Sequence, residues 1–272
     1  MNLDSLPAVN GVVYAEDAAR LAREAGVDSA RLMTLLLPAA AAFARPPISN
    51  FRVGVITRGA TSGNLYFGAN VEFAGEALSF TVHAEQSSVT NAWMHGEEGI
   101  DLLAVNAPPC GYCRQFLNEL TTASQLRIAM PHDVHPLAAL LPDAFGPRDL
   151  GVAGGLLEPA DHPLAIDDGD ALTRAALRAA KRSYAPYSKA WAGVALRTHD
   201  GTIVSGAYAE NAAFNPSISP LQVALSMLNL RGYAWRDIAE AALVQSGSLH
   251  TSATRTVLAA ISDADLRVVD AK

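Results

Sequence analysis

Four residues in the first half of the chain carry side chains that bind metals or move protons. His83 and Glu85 stand two apart in Val82-His83-Ala84-Glu85-Gln86, and Cys110 and Cys113 stand three apart in Pro109-Cys110-Gly111-Tyr112-Cys113-Arg114, the first of them 27 residues after the histidine. These are the only two cysteines among 272 residues, so a disulfide, a redox pair and a metal site compete for the same sulfurs. The upstream His-x-Glu weighs for metal, because one imidazole and two thiolates form an accepted zinc ligand set that leaves a fourth position to water. No second CxxC exists with which to build a four-thiolate structural site. A closed, zinc-stabilised binding module would need a fourth protein ligand. His95 lies about three helical turns beyond His83, and His132, His135 and His162 fall in irregular text. Two thiolates also neutralise much of the ion's charge, so a water held there needs a neighbouring base. Glu85 is the candidate general base, and Arg114, beside the second cysteine, is expected to donate hydrogen bonds to a thiolate.

These residues need elements to hold them. A helix is expected over about Val82 to His95, which places His83 in its first turn, and another over Cys110 to Leu120, opened by Pro109. Helix N-termini favour thiolates through unpaired N–H groups and the helix dipole. Upstream, Glu16 to Ala25 reads as a helix stopped by Gly26, and Asp28-Ser29 caps a second helix that ends at Pro46-Pro47, with a kink or break expected at Pro38. Phe51 to Thr57 and Leu65 to Val71 read as a hairpin, and Asp101 to Asn106 and Leu126 to Met130 as later strands. The segment from about Pro131 to Asp168, rich in Pro and Gly, reads as a connector.

Beyond the connector the pattern of the first half recurs. Pro47-Ile48-Ser49-Asn50-Phe51-Arg52-Val53-Gly54-Val55 aligns with Pro186-Tyr187-Ser188-Lys189-Ala190-Trp191-Ala192-Gly193-Val194 at an offset of 139, and Gly68-Ala69-Asn70-Val71-Glu72 with Gly206-Ala207-Tyr208-Ala209-Glu210 at 138. Ordered matches at nearly constant spacing indicate a duplicated fold. On this alignment Ser219-Pro220-Leu221-Gln222 replaces Val82-His83-Ala84-Glu85, and the cysteines fall near Thr251 and Thr254, so only the first copy is equipped for chemistry. The resulting divisions are an N-terminal helical extension (1–27), a catalytic domain (28–135), a connector (136–167) and a degenerate second domain (168–272).

Half of the residues are hydrophobic, 17% are charged and the net charge is −7. That composition predicts a folded, core-rich protein with no basic stripe for a phosphate backbone, so neither a nucleic acid nor a membrane is an expected partner. Met1-Asn2-Leu3-Asp4 lacks a basic n-region and the apolar run from Leu35 to Ala44 is too short to span a bilayer, which points to a cytoplasmic protein with reduced thiols.

His83-Ala84-Glu85 followed by Pro109-Cys110-Gly111-Tyr112-Cys113 matches the signature of the zinc deaminases. More closely, the chain resembles the bacterial two-lobe, homodimeric cytidine deaminases. The resemblance runs through Tyr66-Phe67-Gly68-Ala69-Asn70-Val71-Glu72-Phe73, Thr81 to Ser87, Cys110 to Phe116, Leu141-Pro142-Asp143-Ala144-Phe145-Gly146-Pro147 and Ala209-Glu210-Asn211-Ala212-Ala213-Phe214-Asn215-Pro216. It implies an α/β fold, a three-layer helix-sheet-helix core present twice with a small N-terminal helical cap. It further implies Zn2+ on His83, Cys110 and Cys113, proton transfer by Glu85, and hydrolysis of cytidine or deoxycytidine to uridine or deoxyuridine in pyrimidine salvage. By the same resemblance Phe51 lies against the base, Asn70 and Glu72 bind the ribose 3'-hydroxyl, and Ala84 contacts the substrate. Phe214 reaches the pocket of the other subunit of a homodimer, whose second lobe closes the partner's active site. A nucleotide such as deoxycytidylate is the alternative substrate. A carboxylate facing the 3' position accepts a hydroxyl and repels a 3'-phosphate, which argues against a continuous strand.

Overall fold

The protein is described by a computed structural model covering residues 6–247 and 249–272. The first five residues of the expected N-terminal extension therefore lie outside the described part. The first half comprises β1 (Val12–Val13), α1 (Ala15–Ala25), α2 (Ser29–Ala41), β2 (Gly54–Gly59), β3 (Leu65–Ala69), α3 (Ala84–Met94), β4 (Ile100–Val105), α4 (Gly111–Leu117), β5 (Arg127–Ala129), β6 (Val134–Pro136) and α5 (Leu137–Leu140). The second comprises α6 (Ala171–Arg182), β7 (Ala192–Thr198), β8 (Ile203–Ala207), α7 (Pro220–Leu230), β9 (Ile238–Gln245), α8 (Thr251–Ile261) and β10 (Asp265–Asp270).

Local chemistry sets the helix ends. Gly26 closes α1 in the left-handed region at φ 65°, and the Asp28 carboxylate caps α2 by accepting the Arg31 N–H at 2.8 Å. Pro38 does not end α2, which runs on to Ala41. The first sheet has the order β1-β3-β2-β4-β5-β6, with β4 and β5 parallel and every other neighbour antiparallel. The second has the order β10-β9-β7-β8, parallel only between β9 and β10. Taken from the hairpin outward, β8-β7-β9-β10 repeats β3-β2-β4-β5, and both copies shift register at the same place, Arg58/Gly59 and Arg197/Thr198.

Two glycines per copy show how the layers form. A Cβ at Gly54 would lie 2.5 Å from Ala41 N in α2, and one at Gly68 would lie 2.2 Å from Ser88 N in α3. Gly54 pairs with Ala69 whereas Gly68 pairs with Val55, so the two glycines face opposite sides of the sheet, and α2 and α3 cover opposite faces. Gly193 against Ala180 N of α6 and Gly206 against Ala224 N of α7, both at 2.3 Å, repeat the arrangement. Each copy is thus a helix-sheet-helix sandwich, as expected for the fold class.

The structure also departs from the expected elements. β2 starts at Gly54 and not at Phe51, leaving Phe51 in a loop. The N-terminal segment is more than a helical cap, because Val12 and Val13 pair with Tyr66 and Leu65 of β3. The stretch expected to be a connector contains β6 and α5, and β6 extends the first sheet. The chain divides into two compact units. The first includes Val82–Glu158 and the chain up to Val71, together with Asn211–Pro216; the second comprises Glu72–Thr81, Pro159–Glu210 and Ser217–Lys272. Among the described residues no helix is long and apolar enough to cross a membrane.

Candidate active site

α3 is buried on all sides from Ala84 to Trp93, which explains its small and amide-bearing sequence. Most of its buried polar atoms find partners, Asn91 Oδ1 being an exception. Ser88 donates to the Tyr66 carbonyl at 2.8 Å, and Asn91 donates to the carbonyls of Phe67 and Gly11, both at 3.0 Å. These bonds fix α3 against β3 and set its first turn. His83 is the N-cap, Ala84 the first helical residue and Glu85 the second. Cys110 is likewise the N-cap of α4, with extended backbone at φ −69° and ψ 167° and no side-chain bond to the helix, and Cys113 lies one turn in. Two helix starts thus bring their cap side chains to one point.

There His83 Nδ1 lies 3.3 Å from Cys113 Sγ and 3.6 Å from Cys110 Sγ, and the sulfurs are 3.5 Å apart. A tetrahedral zinc about 2.3 Å from sulfur and 2.0–2.1 Å from nitrogen separates its ligand atoms by roughly 3.5–3.8 Å. The triangle fits that ion with a small adjustment. No other His, Cys, Asp or Glu joins the cluster among the described residues, so the closed binding module, which needs a fourth protein ligand, gains no support. Cys113 is buried and Cys110 exposed, which gives the triangle a protein side and an open side.

The surroundings favour a thiolate. Hydrogen bonds from Cys113 and His83 hold the Cys110 thiol down to about 3, while the shared bond to Cys110 and burial push Cys113 up. Glu85 is 4% exposed and its carboxyl bonds to Cys113, which sets it beside the metal triangle without making it a ligand. Burial raises its pKa above the ordinary carboxylate range.

Of the remaining expected residues, Ala84 is buried next to His83 and Glu85. The Asn70 amide accepts the Val53 N–H and donates to the Phe51 carbonyl, both at 2.9 Å, so Asn70 shapes the loop from which Phe51 projects, 59% exposed. Phe214 lies in the Asn211–Pro216 segment of the same unit, 65% exposed. Glu72 is buried and begins the Glu72–Thr81 segment of the second unit. Arg114 departs from expectation: its Nε and one terminal nitrogen donate to the carbonyls of Pro109 and Leu140, both at 2.8 Å, so it braces the residue before Cys110.

Three contributors carry little or no signal in the sequence. Tyr112 stacks on the His83 ring at 5.0 Å and 28°. Asn106 accepts the Gly54 N–H at 3.0 Å and donates to the Arg52 carbonyl at 3.2 Å, doing for the start of β2 what Asn70 does one residue earlier. Gln86 accepts the His83 N–H at 3.2 Å. The signal for Tyr112 was its place between the cysteines; a lone Gln or Asn carries none. The structure also corrects the internal alignment. Ser219 caps α7 as His83 caps α3, each with a glutamine at the third helical position, and Gly206 abuts Pro220 O as Gly68 abuts Ala84 O. Ser219 therefore replaces His83 and Leu221 replaces Glu85, because the second copy is two residues shorter in the preceding loop. His250, rather than Thr251, holds the cap position of Cys110.

A helix-sheet-helix core with one imidazole and two sulfurs at converging helix starts, and an unliganded buried acid beside them, defines the class of zinc-dependent hydrolytic deaminases. Two family models described as the cytidine and deoxycytidylate deaminase zinc-binding region match this chain, one over residues 27–128 and the other over residues 137–257. The cytidine deaminase of Cronobacter sakazakii is 49% identical over 262 residues, which cover 95% of this chain and 88% of that protein. The chain belongs to the cytidine and deoxycytidylate deaminase family. Among solved structures, the cytidine deaminase of Mycobacterium tuberculosis is similar over 43% of this chain and 96% of its own, at 33% identity and a TM-score of 0.39. That of Mycobacterium leprae is similar over 42% and 97%, at 30% identity and 0.38.

Proposed function

We propose that this protein hydrolyses cytidine and deoxycytidine to uridine and deoxyuridine, releasing ammonia, as an enzyme of pyrimidine salvage in the cytoplasm. The observation that carries the reading is the 3.3–3.6 Å triangle of His83, Cys110 and Cys113 with the Glu85 carboxyl against it. Zinc, when held by those three residues, supplies a Lewis acid that makes water nucleophilic near neutral pH. Glu85 takes a proton from the attacking water and delivers it to the ring nitrogen beside the amino-bearing carbon. It then carries the second proton to the leaving amine, so that one carboxylate serves as base and acid in turn. Burial of Glu85 and of Cys113 keeps bulk water from the acid.

Phe51 packs against the base, Asn70 and Glu72 accept and donate at the ribose 3'-hydroxyl, and Ala84 lines the floor. Residues 28–135 form the catalytic domain and 168–272 the degenerate one, joined by 136–167 behind the 1–27 extension. The working form is a homodimer in which Phe214 closes the partner's pocket. The net charge of −7 and the absence of a basic run in the sequence favour a neutral nucleoside over a nucleotide. Loss of cytidine absorbance with the purified protein, measured alone and in competition with cytidine monophosphate, tests the reading. Turnover of cytidine with weak competition supports it; turnover of deoxycytidylate but not of cytidine overturns it.

A further inference from the structure

Gln86 is fully buried, and its two polar ends have different partners. Its carbonyl oxygen accepts the backbone N–H of His83 at 3.2 Å, and its amide nitrogen donates to the carbonyl of Pro216 at 3.1 Å. A backbone N–H can only donate and a carbonyl can only accept, so the amide has a single workable orientation. The Tyr112 hydroxyl hydrogen-bonds to the same side chain, and the Tyr112 ring stacks on His83. One side chain therefore joins the metal-ligating residue to the Asn211–Pro216 segment.

That segment is seated from α4 as well. Asn211 donates to the Gln115 carbonyl at 3.0 Å, and the buried Glu119 accepts the Ala212 N–H at 2.8 Å. Between these anchors and Pro216, Phe214 takes φ 61°, a left-handed conformation that a bulky side chain adopts only when its surroundings hold it there. The second copy repeats the device: Gln222 accepts the Ser219 N–H and donates to the Phe80 carbonyl, both at 2.9 Å, within the second unit. A glutamine kept at the third position of both helices, while the metal ligand and the acid beside it were replaced in one, marks a role in seating these loops.

We propose that Gln86 is a positioning residue that couples the Asn211–Pro216 loop to the metal ligand His83, so that the seat of the loop and the hold on zinc depend on each other. The part concerning substrate rests on the deaminase reading and on Phe214 touching the nucleoside; the part concerning zinc does not.

The test uses the full-length zinc-loaded protein, steady-state turnover of cytidine, and the rate of zinc release to an excess of chromogenic chelator. Gln86→Glu keeps the acceptor for His83 and removes the donor to Pro216, so the expected result is a KM raised about tenfold, kcat within about twofold and zinc release accelerated about threefold. Gln86→Leu removes both bonds, and zinc release is expected to accelerate about tenfold in addition. Asn211→Ala loosens the loop from its far end and is expected to speed zinc release about threefold in the wild-type background and not at all on top of Gln86→Leu. Wild-type KM and zinc release in both Gln86 variants, with only the melting temperature lowered, would reduce Gln86 to a packing residue. Persistence of the Asn211→Ala effect in the Gln86→Leu background would overturn the coupling. If the Gln86 variants do not fold, an unchanged zinc-release rate in Asn211→Ala alone overturns it. A wild-type protein that binds zinc and leaves cytidine untouched removes the deaminase reading while the zinc measurements still decide the coupling.

Discussion

The two copies of the fold place similar backbones around different contents. In the first, Asn50 at φ 56° follows Ser49, whose hydroxyl accepts the Phe51 N–H, and Phe51 projects outward. The second keeps the turn, with Lys189 at φ 59° and the Ser188 hydroxyl accepting the Ala190 N–H, but the aromatic ring has become a buried methyl group. Where Asn70 laces the loop of the first copy, Tyr208 stands in the second, edge-on to His250 at 4.3 Å. Glu210 accepts the Tyr187 and Ser188 N–H groups and the Ser188 hydroxyl. At these positions the second copy bonds its own side chains to its own backbone and rings. At the helix start, Ser219 uses its hydroxyl to accept the Gln222 N–H at 3.2 Å, whereas His83 turns its ring to two sulfurs. The fold itself needs neither metal nor acid; the first copy gives up ordinary caps to place ligands at them.

That contrast can be tested by unequal disruption of the two halves. The largest effect belongs to Glu85→Gln, expected to lower turnover of cytidine by about 10,000-fold while about one zinc per chain is retained, as read by absorbance and metal analysis. Gly68→Ala and Gly206→Ala are expected to be alike. A Cβ within 2.2 Å of Ser88 N or 2.3 Å of Ala224 N forces helix and sheet apart, and each variant should lose about 3 kcal/mol in denaturant unfolding. A large difference between them would mean that the sandwiches are not equivalent.

His250 supplies a pH dependence that belongs to the second copy. Burial holds its pKa down to about 4, against the pull of the Ala190 backbone and of Glu210. Above pH 6.5 the imidazole is neutral whether the chain is folded or not, and the group contributes no slope. Between pH 6.5 and 4 the unfolded chain takes up a proton that the folded chain refuses, so stability falls with falling pH, by about 3 kcal/mol in all. Urea unfolding across that range should show the loss, and His250→Gln should flatten it. The smallest effect is that of Ser219→Ala, about 1 kcal/mol of stability with wild-type turnover, since this cap serves the helix alone.

The chemistry was legible because zinc restricts its ligands to a few residue types at constrained separations, and His83, Cys110 and Cys113 satisfy that restriction without reference to the rest of the chain. The duplication was legible because Gly54, Gly68, Gly193 and Gly206 stand where no other residue fits, and so keep the offset visible. What escaped depended on pairing across long separations. A two-residue strand such as Val12–Val13 has no periodicity of its own, and β6 sits in text that reads as a loop. The internal alignment slipped by one residue at His83 because a shortened loop cannot be located from residue types when the caps on either side differ. Arg114 was assigned to sulfur by adjacency in sequence, although the helix directs its guanidinium back toward the Pro109 carbonyl.

The membership of Asn211–Pro216 in the first unit and of Glu72–Thr81 in the second has a consequence for how this protein can be taken apart. A truncation after Glu158 would remove the residues that satisfy Gln86 and Glu119, and the remainder would lack what Gln222 holds. Each half in its present form depends for its loop contacts on a segment that lies in the other half of the sequence.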